Sequence, residues 1–101
     1  MNKQQILNLL GLAYKAHCVI SGQDLVLKSL KQRQVEFVFL ASDLSTTFLK
    51  KITSILDQYQ VSFTTDFSQA ELSQAIGRLR KTIAITDQGF AKRFKELTMI
   101  N

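Results

Sequence analysis

Apolar positions along the chain alternate between two patterns: spacings of three and four over stretches of ten or so residues, and short unbroken runs between them. The first is the mark of an amphipathic helix, the second of a strand buried on both faces. Over residues 3–15, Ile6, Leu9 or Leu10, and Ala13 predict a helix, and His17–Ile20 a short extended piece. Ser21 and Asp24 have the spacing of a capping box, so a second helix is expected to begin near Gly22. Along it Val26, Leu27 and Leu30 share one side, while Asp24, Lys28 and Lys31, at i, i+4 and i+7, form a solvent stripe. Glu36–Ala41 is the best strand candidate. Ser42–Ser45 then offers several N-caps, and Phe48, Leu49, Ile52, Ile55, Leu56 and Tyr59 trace the clearest helix. Val61–Thr65 alternates and reads as a strand with one more exposed face. Ser68 and Glu71 form a second capping box, opening a short helix through Leu72, Ala75 and Ile76 that Gly77 should close. Thr82–Thr86 predicts another strand, Asp87 a cap, and Phe90, Phe94 and Leu97 a last helix.

Strands alternating with helices imply β-α-β units whose right-handed crossovers place helices on both faces of a sheet. The expected fold is therefore α/β, a three-layer α/β/α sandwich around a small mixed, mainly parallel sheet of about four strands. With 101 residues the chain is expected to form one domain, 1–101, large enough to bury roughly two thirds of its unfolded surface.

Thirteen Lys and Arg against eight Asp and Glu give a net charge of +5, which favours an acidic partner such as nucleic acid or an anionic surface. Cys18 is the one cysteine, so no internal disulfide can form, and the residue suits a reducing cytoplasm. Apolar residues near the N-terminus are interrupted by Asn8, Tyr14 and Lys15, unlike the apolar core of a signal peptide. No stretch approaches the ~20 apolar residues of a membrane span. The expectation is a cytoplasmic monomer without membrane contact.

One histidine and one cysteine cannot build a metal cluster, and adjacent residues of an extended segment point to opposite faces, which disfavours a His17–Cys18 pair as base and nucleophile. The four glycines are scattered, so neither a dinucleotide fingerprint nor a P-loop exists. Asp43, Asp66 and Asp87 each stand beside a helix start and read as caps. No enzyme, cofactor or metal is expected. Basic residues gather in two places: Lys15, Lys28, Lys31 and Arg33 flank the second helix, and Arg78, Arg80 and Lys81 lie between a short helix and a strand. Lys50, Lys51, Lys92, Arg93 and Lys95 read as ordinary solubilising charge on helices with strong apolar faces. The glycine-flanked start of the second helix also offers N–H groups to a phosphate.

Leu10-Gly11-Leu12-Ala13, Ser21-Gly22 with Lys28-Ser29-Leu30, Val38-Phe39-Leu40-Ala41-Ser42-Asp43, Leu72-Ser73-Gln74-Ala75-Ile76-Gly77 and Thr86-Asp87-Gln88-Gly89-Phe90-Ala91 occur in an order and spacing that resembles a known family. It is the kink-turn-binding ribosomal protein superfamily, of the large-subunit ribosomal protein seven-Ae type, and within it the small bacterial YlxQ-like branch. The resemblance spans essentially the whole chain. It implies a noncatalytic α/β/α domain that binds sharply bent RNA internal loops, a bulge beside tandem sheared G·A pairs, in ribosomal or other structured RNA. By position Gly22 and Lys28 match the family's glycine and lysine, and the Gly77–Lys81 loop matches its bulge-contacting loop. The expected RNA-binding residues are Gly22, Gln23, Asp24, Lys28 and Lys31 at the second helix and Arg78, Leu79, Arg80 and Lys81 in the loop, with phosphate contacts from Lys28, Lys31, Arg78, Arg80 and Lys81. The family's second-helix motif is Gly-x-Asn-Glu-x-x-Lys. Here Asp24 stands in the asparagine slot and Leu25 in the glutamate slot, and an Asp24–Lys28 pair, one turn apart, is expected to replace the missing guanine acceptor. The family's Arg-Ala-Gly-Lys before the first strand is here Lys15-Ala16-His17-Cys18, with two basic residues fewer on that rim. A second reading keeps the fold without RNA specificity, as a protein-interaction module of the ribosome or RNA-processing machinery.

Overall fold

The computed structural model describes residues 3–99, so residues 1, 2, 100 and 101 of the expected domain lie outside the described residues. Nine elements follow in order: α1 (Lys3–Lys15), β1 (Val19–Ser21), α2 (Gln23–Lys31), β2 (Phe37–Leu40), α3 (Thr46–Gln58), β3 (Ser62–Thr64), α4 (Gln69–Ile76), β4 (Thr82–Ile85) and α5 (Gln88–Met99). Every expected helix and strand is present, with strand ends trimmed by a residue or two.

Several caps form as their residue types dictate. Ser45 Oγ accepts from Phe48 N–H at 3.2 Å to start α3, and Asp87 Oδ2 accepts from Phe90 N–H at 2.9 Å to start α5. At α4 both halves of the Ser68–Glu71 capping box are made, and Gly77 ends the helix at φ 75°. Asp43 does cap a helix, but not its neighbour: its carboxylate accepts from Gln69 N–H at the start of α4. The Asp66 carboxylate caps no helix among the described residues; its backbone N–H donates to Thr64 Oγ1 instead.

Three helices stop without glycine. His17, Arg33 and Gln60 take φ values of 61°, 58° and 57° just after α1, α2 and α3. Each turn is closed by paired bonds, for α1 His17 N–H to Tyr14 O and Cys18 N–H to Ala13 O. Equivalent bonds run from Arg33 and Gln34 to Leu30 and Ser29, and from Gln60 and Val61 to Asp57 and Leu56. This is the Schellman arrangement, whose satisfied carbonyls offset a left-handed cost of roughly 1–2 kcal/mol for a residue with a Cβ. His17 is therefore a helix terminator, which corrects its expected place in an extended segment; β1 begins only at Val19.

The strand order is β1-β4-β2-β3, with β4 antiparallel to both neighbours and β2 parallel to β3. The sheet is mixed and four-stranded, as expected, but not mainly parallel, since two of its three pairings are antiparallel. The reason lies in the β3–β4 connection. Ser42 N–H donates to Phe67 O and Ala41 N–H to Lys81 O, so both ends of that connection are tied to the same end of β2. The chain re-enters the sheet where it left, and α4 packs on α1 instead of crossing back along the strands. The approach of α1 to α4 is close enough that a Cβ on Gly11 would stand 3.1 Å from Ala75 O.

Helices α1, α4 and α5 lie together over one face, and α2 and α3 pack on each other over the opposite one, which makes the three layers. All four β2 residues are buried. Phe37 and Phe39 meet Phe94 of α5 at ring-centroid distances of 5.9 and 5.0 Å, and Phe39 also meets Phe67 at 5.8 Å. By the two-residue period of a strand, Val38 and Leu40 serve the opposite layer.

Candidate nucleic-acid interface

The β1–α2 junction and the Gly77–Lys81 loop meet because β1 and β4 are neighbours. Ser21 pairs with Ile83, and one residue on Gly22 N–H donates to Thr82 O at 2.9 Å. Gly22 then turns the chain into α2 at φ 99°, ψ 143°, a conformation nearly confined to glycine. The expected Ser21–Asp24 capping box does not form. No side chain caps α2, whose N-cap is Gly22 itself. Ser21 is held in the strand, and its hydroxyl accepts instead from Arg80 Nε at 3.1 Å.

That bond joins the two basic clusters at one point. Arg80 Nη1 also donates to Leu79 O at 2.8 Å, and the Arg80 backbone is clamped to α4 by the Ser73 hydroxyl, which accepts from Arg80 N–H and donates to Arg80 O. Lys81 O is held by Ala41 N–H. Arg78 and Leu79 form the free crest of the loop, Leu79 being 73% exposed. Ser73 and Ser21 were not foreseen as structural partners of the site, and nothing local in the sequence marks them, since both bonds join residues brought together by the sheet order.

Across the chain, residues 4–95 match the profile of the ribosomal protein L7Ae/L30e/S12e/Gadd45 family. The chain belongs to that family. It is 40% identical over 96 residues to the RNA-binding protein YlxQ of Enterococcus faecium, covering 95% of this chain and 93% of the relative. The YlxQ protein of Bacillus subtilis is 40% identical over 90 residues, covering 88% of this chain and 90% of the relative. Among solved structures, a Bacillus halodurans protein of unknown function superposes with a TM-score of 0.89 at 32% identity, over 92% of this chain and 95% of that one. A Giardia lamblia 15.5 kD RNA binding protein superposes at 0.81 and 16% identity, over 96% and 87%, a likeness of fold. As a member of the L7Ae/L30e/S12e/Gadd45 family the chain is not an enzyme.

Within this family frame the basic residues divide. Gln23, Asp24 and Lys28 are exposed over the first turns of α2, and Asp24 has no hydrogen-bond or ion-pair partner among the described residues. Lys31, in the last turn, lies about 12 Å along the axis from Gln23 at 1.5 Å per residue. It is thus the member of the set farthest from the loop. Arg33 is turned away, its guanidinium 5.0 Å from the ring centre of Tyr59. On the other side, Lys15 and His17 share a cavity of about 490 Å³ with Leu25, Arg78 and Arg80, so the rim that lost two basic residues still adjoins the loop. No helix among the described residues is long and apolar enough to cross a membrane.

Proposed function

We propose that residues 1–101 act as one noncatalytic, cofactor-free domain of the cytoplasm that binds kink-turn-type structured RNA, ribosomal or other, as a monomer. The observation that carries this reading is the junction of helix start and loop through Ser21, Gly22, Arg80 and Thr82. It brings together a helix N-terminus without a side-chain cap, an unpaired Asp24 and a basic loop whose crest, Arg78 and Leu79, is exposed. The RNA-binding name of both YlxQ relatives supports RNA as the partner.

In this reading the free N–H groups of the first α2 turn receive a phosphate. Asp24 accepts from guanine N1–H and N2–H, while Lys28 donates to O6. Gly22 and Gln23 admit the RNA backbone close to the helix. Lys31, Arg78 and Lys81 neutralise phosphates, Leu79 meets the bulge, and Arg80 holds the loop in position for it. The family's asparagine and glutamate are absent, and the Asp24–Lys28 pair takes their place.

Titration with a kink-turn RNA, and with a control whose G·A pairs are replaced by Watson–Crick pairs, tests the reading at near-physiological salt. The kink-turn should bind preferentially, and Asp24→Ala and Lys28→Ala should each lower affinity about tenfold, the worth of a base-reading contact. Equal binding of the two RNAs would instead favour a protein-interaction module of the translation or RNA-processing machinery. Leu25 and Leu79, 57% and 73% exposed beside the same surface, favour that second reading.

A further inference from the structure

Four cavities of about 420–510 Å³ open on the surface, and size does not separate them. Charge does. The cavity against β3 is lined by both Lys95 and Asp66, the one between α1 and α4 by both Lys15 and Glu71, and the one between α1 and α5 has Arg93 as its one charged residue. The cavity beside the loop gathers three cations, Lys15, Arg78 and Arg80, and no carboxylate lines it. Arg80 is committed to Ser21 and Leu79 O, but Lys15 and Arg78 are exposed and have no partner among the described residues. Apart from Ser21, whose hydroxyl is held by Arg80, the remaining lining is apolar or ring-bearing, with Ile20 on the sheet-edge strand β1, Tyr14 at the end of α1, and Leu25, more than half exposed, on α2.

An anion alone would need only the cations; a flat apolar body alone would need only Tyr14, Ile20 and Leu25. Both together, in a volume within the range of about 300–1,000 Å³ typical of small-molecule sites, fit one unpaired nucleotide. We propose that this cavity holds an unpaired nucleotide of the RNA, its base against Tyr14, Ile20 and Leu25 and its phosphate between Lys15 and Arg78. The inference rests on RNA being the partner, but not on the kink-turn. Leu25 has a defined role here. It offers no hydrogen bond, so it walls the cavity and favours contact with the face of a base over reading of its edge, which makes the site tolerant of base identity.

The test follows backbone amide shifts of the full chain on titration with tetrauridylate, tetraadenylate and, separately, inorganic phosphate. Both oligonucleotides should move the amides of Val19, Ile20, Ser21 and Leu25 with similar affinity. Leu25→Ala and Tyr14→Leu should each weaken them about fivefold or more, consistent with loss of base contact, and leave the response to phosphate unchanged. Lys15→Gln, at an exposed position that leaves the core intact, should weaken oligonucleotides and phosphate alike. Lys50→Gln on α3 should change neither. If phosphate moves the same amides as strongly as the oligonucleotides, or if the leucine and tyrosine variants bind as the parent does, the nucleotide site is refuted. Selective kink-turn binding with silent cavity amides would refute the cavity alone. Oligonucleotide binding in the cavity without kink-turn preference would refute the kink-turn reading alone.

Discussion

Gly22 sits where β1 ends and α2 begins, at a φ of 99° that a side chain resists because its Cβ would crowd the adjoining peptide. Space is not the obstacle: a Cβ there would come no nearer than 4.0 Å to Arg80 Nε. Gly22→Ala should therefore cost backbone strain of about 1–3 kcal/mol without a packing defect. Urea unfolding would register it as a lower midpoint at unchanged slope; a midpoint equal to the parent's would mean that the junction relaxes freely. The same residue explains why Ser21–Asp24 misleads and Ser68–Glu71 does not, although the two tetrads read alike. Ser68 stands free at the N-cap in extended backbone. Ser21 is locked into the ladder opposite Ile83, and Arg80 has claimed its hydroxyl. Spacing reports that a cap can form; it does not report a competitor 59 residues away.

At the scale of the element, α4 carries the clearest pH dependence. Glu71 accepts from Ser68 N–H, and this bond, aided by Lys3 and opposed by slight burial, holds its carboxyl below the ordinary value of 4.5. A carboxyl lowered in the folded state contributes stability above that value and loses it as pH falls through the folded value. The Lys3–Glu71 ion pair is exposed at both ends and adds little. Glu71→Gln should thus flatten the acid limb of the stability curve below pH ~4.5 while keeping the cap partly satisfied. Ser68→Ala should cost about 0.5–2 kcal/mol at neutral pH. Thermal melts of both variants from pH 3 to 7 separate the contributions, and an unchanged acid limb in Glu71→Gln would rule the assignment out. Helix periodicity was legible throughout, down to Ile6, Leu10 and Ala13 on α1. The ends were less so: His17, Arg33 and Gln60 do by hydrogen bonding what glycine does by lacking a Cβ, and no residue type announces it.

For the whole molecule, layers were legible and pairing was not. Apolar runs identify strands, but β4 lies between β1 and β2 through ladders to both, and those pairings, like the Ser42–Phe67 and Ala41–Lys81 bonds that anchor the α4 segment at the end of β2, join residues far apart in the chain. That insertion in turn decides which cations act together. Of the charges that sum to +5, Arg93 is near Glu96, Lys3 pairs with Glu71, Arg33 covers Tyr59 and Arg80 is turned inward. Around the β1–β4 end and along α2 remain Lys15, Lys28, Lys31, Arg78 and Lys81, with no ion-pair partner among the described residues. If the four other than Lys28, which serves guanine O6, meet phosphates, the logarithm of RNA affinity should fall against the logarithm of salt concentration with a slope of about −2.8 to −3.6, from −0.7 to −0.9 per phosphate. Lys31→Ala or Arg78→Ala should each reduce that slope by nearly one unit. Arg80→Ala should behave differently, lowering affinity through a loosened loop with little change in slope, because its Nε and Nη1 tie it to Ser21 and Leu79 O and hold it on the protein side of the loop. A slope near zero, or a full unit lost on Arg80→Ala, would contradict this division between cations that touch RNA and the one that holds the surface in shape.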